Sequence, residues 1–336
     1  MTTFQTTTAP FGTAFAATMA TTYWRNGDWD SPRFGPLAPF SFHPATHALH
    51  YASACFEGLK AHLGADGSVR IFRLGRHVER MQQSAELLWL PVPPAEMLTE
   101  MITEVVAACR YEVPEAPGSL YLRPTLLGVE PNIGAAGAPS KEALLYVFAS
   151  PVGDYFAGGV RPLKIKVETE HPRTTPMFGR VKAGANYVMA LGITQMAKRE
   201  LGIDQVLFAP GGIVQETGAS NFLILDDEKV ITAPLDESFL HGVTRDSILH
   251  LARDLGYGVE ERLLTVDEVL SWADHGEAAL SGTAAVLAPV GTLIHDGIEY
   301  TVGGGVAGKN TLRLRKALTD LHAGVAADTH GWTTLV

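Results

Sequence analysis

The stretch Val181-Lys182-Ala183-Gly184-Ala185-Asn186-Tyr187 sets one lysine among residues too small to shield it. Upstream, Arg161–Val167 alternates apolar and polar residues as a strand does; downstream, Tyr187–Leu201 carries its apolar residues at helical spacing. A lysine between a strand and a helix, with only small neighbours, can approach a planar carbonyl compound and bond it through its amine. Taken alone, the segment fits a surface lysine in a turn better than a cofactor lysine.

Strand and helix signals continue outward on both sides. Leu74–Trp89 and Pro94–Arg110 read as helices, Ser119–Gly128 and Ala143–Ser150 as strands. Pro151–Gly159 is dense in turn formers and reads as a loop between domains. Beyond the lysine, Gln205–Ala209, Phe222–Leu225 and Lys229–Thr232 read as short strands, and Thr244–Gly256, Val266–Ala273 and Thr311–Ala323 as helices. Such interleaving gives an α/β or α+β class.

Length and composition narrow the function. At 336 residues the chain exceeds one ordinary core, so two domains are expected. With 46% hydrophobic and 18% charged residues it is globular, and 26 basic against 36 acidic residues give a net charge of −10. That balance does not suit a protein devoted to neutralising nucleic-acid phosphates. Cys55 and Cys109 lie in unlike contexts and build neither a disulfide framework nor a cysteine zinc site. The first basic residue is Arg25, and no stretch reads as a membrane span, so a cytoplasmic protein without membrane or nucleic-acid partners is expected.

Several residues gather chemistry around the lysine. Glu216, in Gly211-Gly-Ile-Val-Gln-Glu-Thr-Gly-Ala-Ser-Asn221, stands on a tight turn before an apolar strand. An inward-facing carboxylate there can keep a pyridine nitrogen protonated, although a solvated loop glutamate is an even alternative. Arg80 follows Arg73 and Arg76 at i, i+3 and i+4 spacing, which places all three on one helix side. Leu240-His-Gly-Val243-Thr244-Arg245 opens a helix whose unbonded N–H groups favour an anion. Ser281-Gly-Thr283-Ala284-Ala285 is a small-residue turn with hydroxyls.

One motif points elsewhere. Gly303-Gly-Gly-Val-Ala-Gly308-Lys309 matches most of a nucleotide-binding phosphate loop, but Asn310 stands where magnesium needs a Ser or Thr. Too few residues follow Lys309 for the rest of such a sheet. A glycine-rich turn before the last helix is the expectation, and a nucleotide-binding protein the alternative from a different class.

In order along the chain, FEGLK at Phe56, HVER ending at Arg80, YLRP at Tyr121, KAGANY at Lys182, ETGASN at Glu216, LHGVTR at Leu240 and SGTA at Ser281 form one ordered set. The set resembles the fold-type IV pyridoxal-phosphate enzymes, and among them the branched-chain amino acid aminotransferases, from about Trp24 onward. The resemblance implies two domains: residues 1–150 as a smaller N-terminal α/β domain, 151–162 as the interdomain loop, and 163–336 as a larger cofactor-binding domain with a barrel-like sheet. It implies pyridoxal 5′-phosphate as cofactor, bonded by Lys182, which also moves the substrate proton. Glu216 would face the pyridine nitrogen and Tyr187 the phenolic oxygen. Arg80, the amides of Val243 and Thr244, and Thr283 would cradle the phosphate. Tyr121, Arg123 and Ala284 would meet substrate carboxylates, with Tyr51, Phe56 and Tyr155 lining the side-chain pocket. In the family the first two of these reach in from a partner subunit, so a homodimer, or a larger assembly of dimers, is expected. The activity implied is amino-group exchange between L-leucine, L-isoleucine or L-valine and 2-oxoglutarate.

The chain departs from family patterns at Ala219, where several relatives carry threonine, and at Ala285 and Ala288, where mammalian members carry a redox cysteine pair. D-amino acid aminotransferase and aminodeoxychorismate lyase share the fold and are the rival activities. Arg123 is followed by Pro124 and Thr125 rather than by the Arg-x-His pattern of the D-specific relatives.

Overall fold

A computed structural model provides the structure and describes residues 10–155 and 159–336. Part of the expected interdomain loop, 156–158, and the first nine residues lie outside the described residues. Tertiary contacts divide the described chain into two units. One holds residues 10–155, 181–184 and 321–336; the other holds 159–180 and 185–320.

The first unit is built on the antiparallel pair Ser119–Gly128 and Ala143–Val152, in register from Ser119 opposite Val152 to Gly128 opposite Ala143. Around it a nine-stranded sheet runs in the order Thr333–Leu335, Val69–Phe72, Leu59–Leu63, Ser119–Gly128, Ala143–Val152, Thr18–Arg25, Asp28–Trp29. Arg33–Pro36 also pairs with Thr18–Arg25, and Ala54–Phe56 with Ser119–Gly128. Leu120, Leu122 and Leu126 are fully buried and join Leu98, Met101, Ile102 and Val105 of the Ala95–Ala108 helix in one apolar cluster. Because side chains alternate across a strand, the arrangement that buries Leu120 and Leu122 turns Tyr121 and Arg123 to the other face.

The second unit carries an eight-stranded sheet ordered Gln205–Phe208, Leu163–Glu168, Val286–His295, Glu277–Gly282, Asn221–Leu225, Lys229–Thr232, Gly258–Glu261, with Ile298–Thr301 also paired to Val286–His295. Parallel and antiparallel pairs mix within it: Leu163–Glu168 runs parallel to both its neighbours, whereas Asn221–Leu225 runs antiparallel to both of its own. All five residues of Asn221–Leu225 are buried, as a strand covered on both faces requires. Among the described residues no helix is long and apolar enough to cross a membrane.

Two features differ from the sequence expectation. The chain does not divide at a single loop, since 181–184 and 321–336 group with the first unit. Thr333–Leu335 satisfies its backbone as a strand on Val69–Phe72, and Ala183 bridges Cys55. Nor do the three arginines share a helix side. Arg73 caps the Leu74–Leu87 helix in a left-handed conformation, outside the helical repeat, and lies over the Trp332 ring at 4.7 Å. Arg76 pairs with Glu79 at the surface, and Arg80 turns inward.

Gly179 lies so near Ser238 that a Cβ there would overlap the Ser238 carbonyl group. The obstacle is backbone, so Gly179→Ala is expected to cost about 1–3 kcal/mol through overpacking. A lower urea midpoint would show this; an unchanged midpoint would show that the loop yields.

Candidate active site

In the first unit, Lys182 is held through its own backbone. Phe56 N–H donates to the Lys182 carbonyl at 3.1 Å, and the Lys182 N–H donates to Ser84 Oγ at 3.1 Å. Lys182 Nζ stands 5.0 Å from the centroid of the Phe56 ring, and the Arg123 guanidinium 4.6 Å from the same centroid. Arg123 donates to the Tyr121 hydroxyl at 3.2 Å, and Phe11 packs edge-on against Tyr121 at 5.1 Å. A Cβ on Gly58 would overlap that hydroxyl, so glycine is what gives the tyrosine its place. Lys182, Phe56, Tyr121 and Arg123 thus gather an amine, an aromatic wall and a cation.

Tyr155 lies at the edge of this group, 6.2 Å from Phe11 and 46% exposed. Tyr51 packs elsewhere, against His47 at 5.0 Å, with its hydroxyl donating to the Ile133 carbonyl.

Arg80 is buried on the inner face of its helix, where Nε and Nη2 donate to the two oxygens of Glu57 at 2.6 and 2.8 Å. His77, one turn earlier, places Nδ1 2.7 Å from Glu57 Oε2. Burial pushes the Glu57 carboxyl up, but the Arg80 guanidinium and His77 outweigh it and hold the group well below the usual carboxylate range. Burial pushes the His77 imidazole down, and Glu57 offsets part of that. This side-on grip fixes which end of the Arg80 guanidinium is turned away from Glu57.

In the second unit, Glu216 is equally buried. Arg173 Nη1 lies 2.7 Å from Oε1, the Leu240 N–H donates to Oε1 at 2.9 Å, and Asn221 Nδ2 donates to Oε2 at 3.1 Å. Arg173 also stands 5.4 Å from the Tyr187 ring centroid, so Glu216 and Tyr187 share one neighbour. Asn186 steadies the start of the Gly184–Leu201 helix, accepting from Thr174 and donating to the Phe178 carbonyl, both at 2.8 Å.

Two helix openings in this unit, one behind the single glycine Gly242 and one behind the glycine-rich run 303–308, differ in a way that decides between anion sites. The Val243–Asp254 helix is capped by Gly242, which has no side chain to bind the first N–H groups of Val243 and Thr244. A Cβ on Gly242 would overlap Asn221 Oδ1, so that approach excludes a capping side chain. At the Lys309–His322 helix, Glu277 already accepts from the N–H groups of Asn310 and Thr311 at 2.9 and 2.8 Å, and Lys309 pairs with Asp227 at 2.7 Å. A carboxylate occupies the place a nucleotide phosphate would take.

Thr283, Ala284 and Ala285 form the loop joining Glu277–Gly282 to Val286–His295, with Gly282 opposite Val286. Val286 stands at φ 63, a costly conformation for a β-branched residue. Arg315 supports the hairpin by donating to the Ala285 and Leu287 carbonyls. Ser281, directly opposite Asn221 and therefore on the same sheet face, has a buried hydroxyl with no hydrogen-bond partner among the described residues.

Sequence reading missed Arg173, Glu57, His77, Ser84, Asn221 and Arg315. Asn221 closes the ETGASN motif, Glu57 lies in FEGLK and His77 opens HVER, so these three carried a local signal; Arg173, Ser84 and Arg315 act through partners far along the chain.

These residues fit a phosphorylated pyridine aldehyde. The first unit offers a partly buried amine beside an aromatic ring; the second offers a buried carboxylate with a fixed donor set, an uncapped helix start and a buried hydroxyl unpartnered among the described residues. The class IV amino-transferase family profile matches residues 54–293, and the chain belongs to this family, whose fold-type IV members work with pyridoxal 5′-phosphate. It is 40% identical to the probable branched-chain-amino-acid aminotransferase of Streptomyces coelicolor, over 96% of this chain and 91% of that protein. It is 38% identical to the branched-chain-amino-acid aminotransferase of Mycolicibacterium smegmatis, over 90% of this chain and 85% of that one. Among solved structures, the T.th. branched-chain amino acid aminotransferase with pyridoxamine 5′-phosphate matches with a TM-score of 0.76 at 31% identity, covering 93% of this chain and 97% of that chain. The same enzyme has been solved with N-(5′-phosphopyridoxyl)-L-glutamate and with 4-methylvaleric acid.

The Glu57 cluster sets a pH dependence. Glu57 titrates lower in the folded state than its ordinary 4.5, so its contribution to stability is present above that value and is lost as pH falls below it. His77 titrates below its ordinary 6.5, so the unfolded chain binds the extra proton first and acid again favours unfolding. The melting temperature is expected to fall from neutral pH through 6.5 and more steeply below 4.5. A flat or rising profile in a differential scanning series would contradict this.

Proposed function

We propose that the protein transfers amino groups between L-leucine, L-isoleucine or L-valine and 2-oxoglutarate, giving branched-chain 2-oxo acids and L-glutamate with pyridoxal 5′-phosphate as cofactor. The observation that carries it is the Phe56 ring, within 5.0 Å of the Lys182 amine and 4.6 Å of the Arg123 guanidinium. An apolar wall and a cation beside one reactive amine suit both substrate types. The ligands of the T.th. enzyme, a branched apolar acid and a glutamate adduct, are of the same two types.

When bound, the cofactor supplies an electron sink for the pair released from the substrate Cα–H bond. Lys182 Nζ is the base that takes the Cα proton and the acid that returns it. Glu216, held by Arg173, Asn221 and the Leu240 N–H, would face the pyridine nitrogen, and Tyr187 the phenolic oxygen. Arg80, the Val243 and Thr244 amides and the Thr283 hydroxyl would hold the phosphate. Tyr121 and the Thr283–Ala284 turn take the α-carboxylate, and Arg123 the glutamate side chain through a charge-assisted bond.

Phe56, Tyr155 and Tyr51 form the side-chain pocket; the expectation that Phe56 reaches in from a partner is corrected, because it packs on Lys182 and Arg123 of its own chain, and Tyr51 alone is contributed across a homodimer. A leucine-sized side chain gains roughly 1.5–3 kcal/mol on leaving water for such walls. One methylene is worth only about 1–3 kcal/mol, so all three branched substrates are accepted. The cytoplasm is the proposed location.

The purified protein is expected to show a band near about 410–430 nm that moves to about 330 nm when L-leucine is added. Lys182→Ala should lose both the band and turnover, and a variant that kept either would end the assignment. D-alanine or aminodeoxychorismate producing the change where L-leucine does not would transfer the function to a rival of the same fold. Glu216→Gln is expected to slow turnover about 10–150-fold, the loss of roughly 1.5–3 kcal/mol of charge-assisted bonding. An unchanged rate would remove Glu216 from the pyridine nitrogen.

A further inference from the structure

The Leu74–Leu87 helix turns His77, Arg80 and Ser84 to its buried side, at i, i+3 and i+7. Two of these serve the Glu57 carboxylate. The third leaves the helix to serve another segment: Ser84 Oγ, in a residue only 1% exposed, accepts the backbone N–H of Lys182 at 3.1 Å. Helix serines commonly spend the hydroxyl on a carbonyl one turn back, so an oxygen committed to another segment is the informative case.

We propose that Ser84 is a positioning residue for Lys182, fixing the peptide from which the amine projects; this rests on the reading of Lys182 as the lysine that bonds the cofactor.

The geometry is a two-sided clamp. Ser84 holds the N–H side of Lys182, and the Phe56 N–H holds the carbonyl side at 3.1 Å. Together they orient both peptide planes of the residue and hence its Cα–Cβ direction. A four-carbon stem amplifies any error in that direction at Nζ. The neighbouring strand Ala54–Phe56 supplies the carbonyl side of the clamp but does not extend along the segment, because Ala183 meets Cys55 only through an isolated bridge, so the N–H side depends on Ser84. Val181 and Ala183 are 1% and 0% exposed, which leaves water poorly placed to replace the serine oxygen.

Misplacing a reacting group by about 1 Å can cost on the order of a hundredfold in rate. A clamp acting through the lysine backbone should therefore appear in kcat and in the lysine's spectroscopic environment, with substrate affinity spared.

The test compares holoenzyme carrying Ser84→Ala, Ser84→Thr and Ser84→Cys. Ser84→Ala is expected to lower kcat with L-leucine about tenfold, with KM held within about twofold. It should also shift the pH at which the visible band of the bound cofactor changes. Ser84→Thr keeps the accepting oxygen and should restore most of both; Ser84→Cys offers a weak acceptor and should fall between. Wild-type kcat and band titration in Ser84→Ala would overturn the proposal, as would a threonine variant impaired as deeply as the alanine one. If Ser84→Ala does not fold, Ser84→Cys decides alone, and wild-type values in both readouts overturn the proposal. Lys182→Ala separates the two claims. A surviving band in that variant sinks the reading of Lys182, whereas loss of the band together with a normal Ser84→Ala enzyme sinks only the serine's role.

Discussion

Two carboxylates kept out of water impose more on this structure than any apolar contact does. Glu57 and Glu216 are 1% and 2% exposed. Moving an ion into such surroundings costs several kcal/mol unless fixed partners meet its lone pairs. Glu57 receives Arg80 and His77, so the Leu74–Leu87 helix must show its inner face to the strand that ends at Phe56. Glu216 receives Arg173, Asn221 and a backbone N–H, so the turn after it must fold back and the loop before Val243 must come within reach. Such pairs are poor sources of net stability. Their effect is geometric, fixing the orientation of charged groups that would otherwise have several conformations.

That division between local and distant causes explains what can be read from the chain. Ser119–Gly128 and Lys229–Thr232 are legible to the residue, because alternation and flanking turn formers are local signals. The Leu74 helix is also legible, but the side its arginines take is not. A capping residue breaks the helical repeat at Arg73, and a surface glutamate holds Arg76. Thr18–Arg25, threonine-rich in a low-complexity start, is a strand because Ala143–Val152 and Arg33–Pro36 flank it, and neither partner is visible from composition. Around the lysine, Phe56, Tyr121 and Arg123 can be nominated through ordered motifs. Arg173 cannot, because its pairing with Glu216 exists only after folding.

Helix openings show how much one side chain changes a motif. The segment before Lys309 satisfies more of a phosphate-loop pattern than the segment before Val243 does. Glu277 reaches the first, bonding two backbone amides and the Thr311 hydroxyl, and makes it a structural joint. Asn221 reaches the second at Gly242, where it excludes a capping side chain. Counting glycines favours the wrong one of the two, since the deciding residues arrive from other strands.

The Thr333–Leu335 strand also constrains assembly in time. It lies at the edge of a sheet whose other members all occur before residue 153, and its pairing with Val69–Phe72 closes a loop of more than 250 residues. Each doubling of loop length adds only about 0.6 kcal/mol of closure entropy, so the equilibrium penalty is modest. The kinetic effect is larger, because contacts of such high order form late. On the ribosome, the first unit's sheet keeps one edge open until the second unit's chain has emerged. Emergence of residues 333–335, rather than completion of residues 10–155, is then the event after which that unit can finish folding.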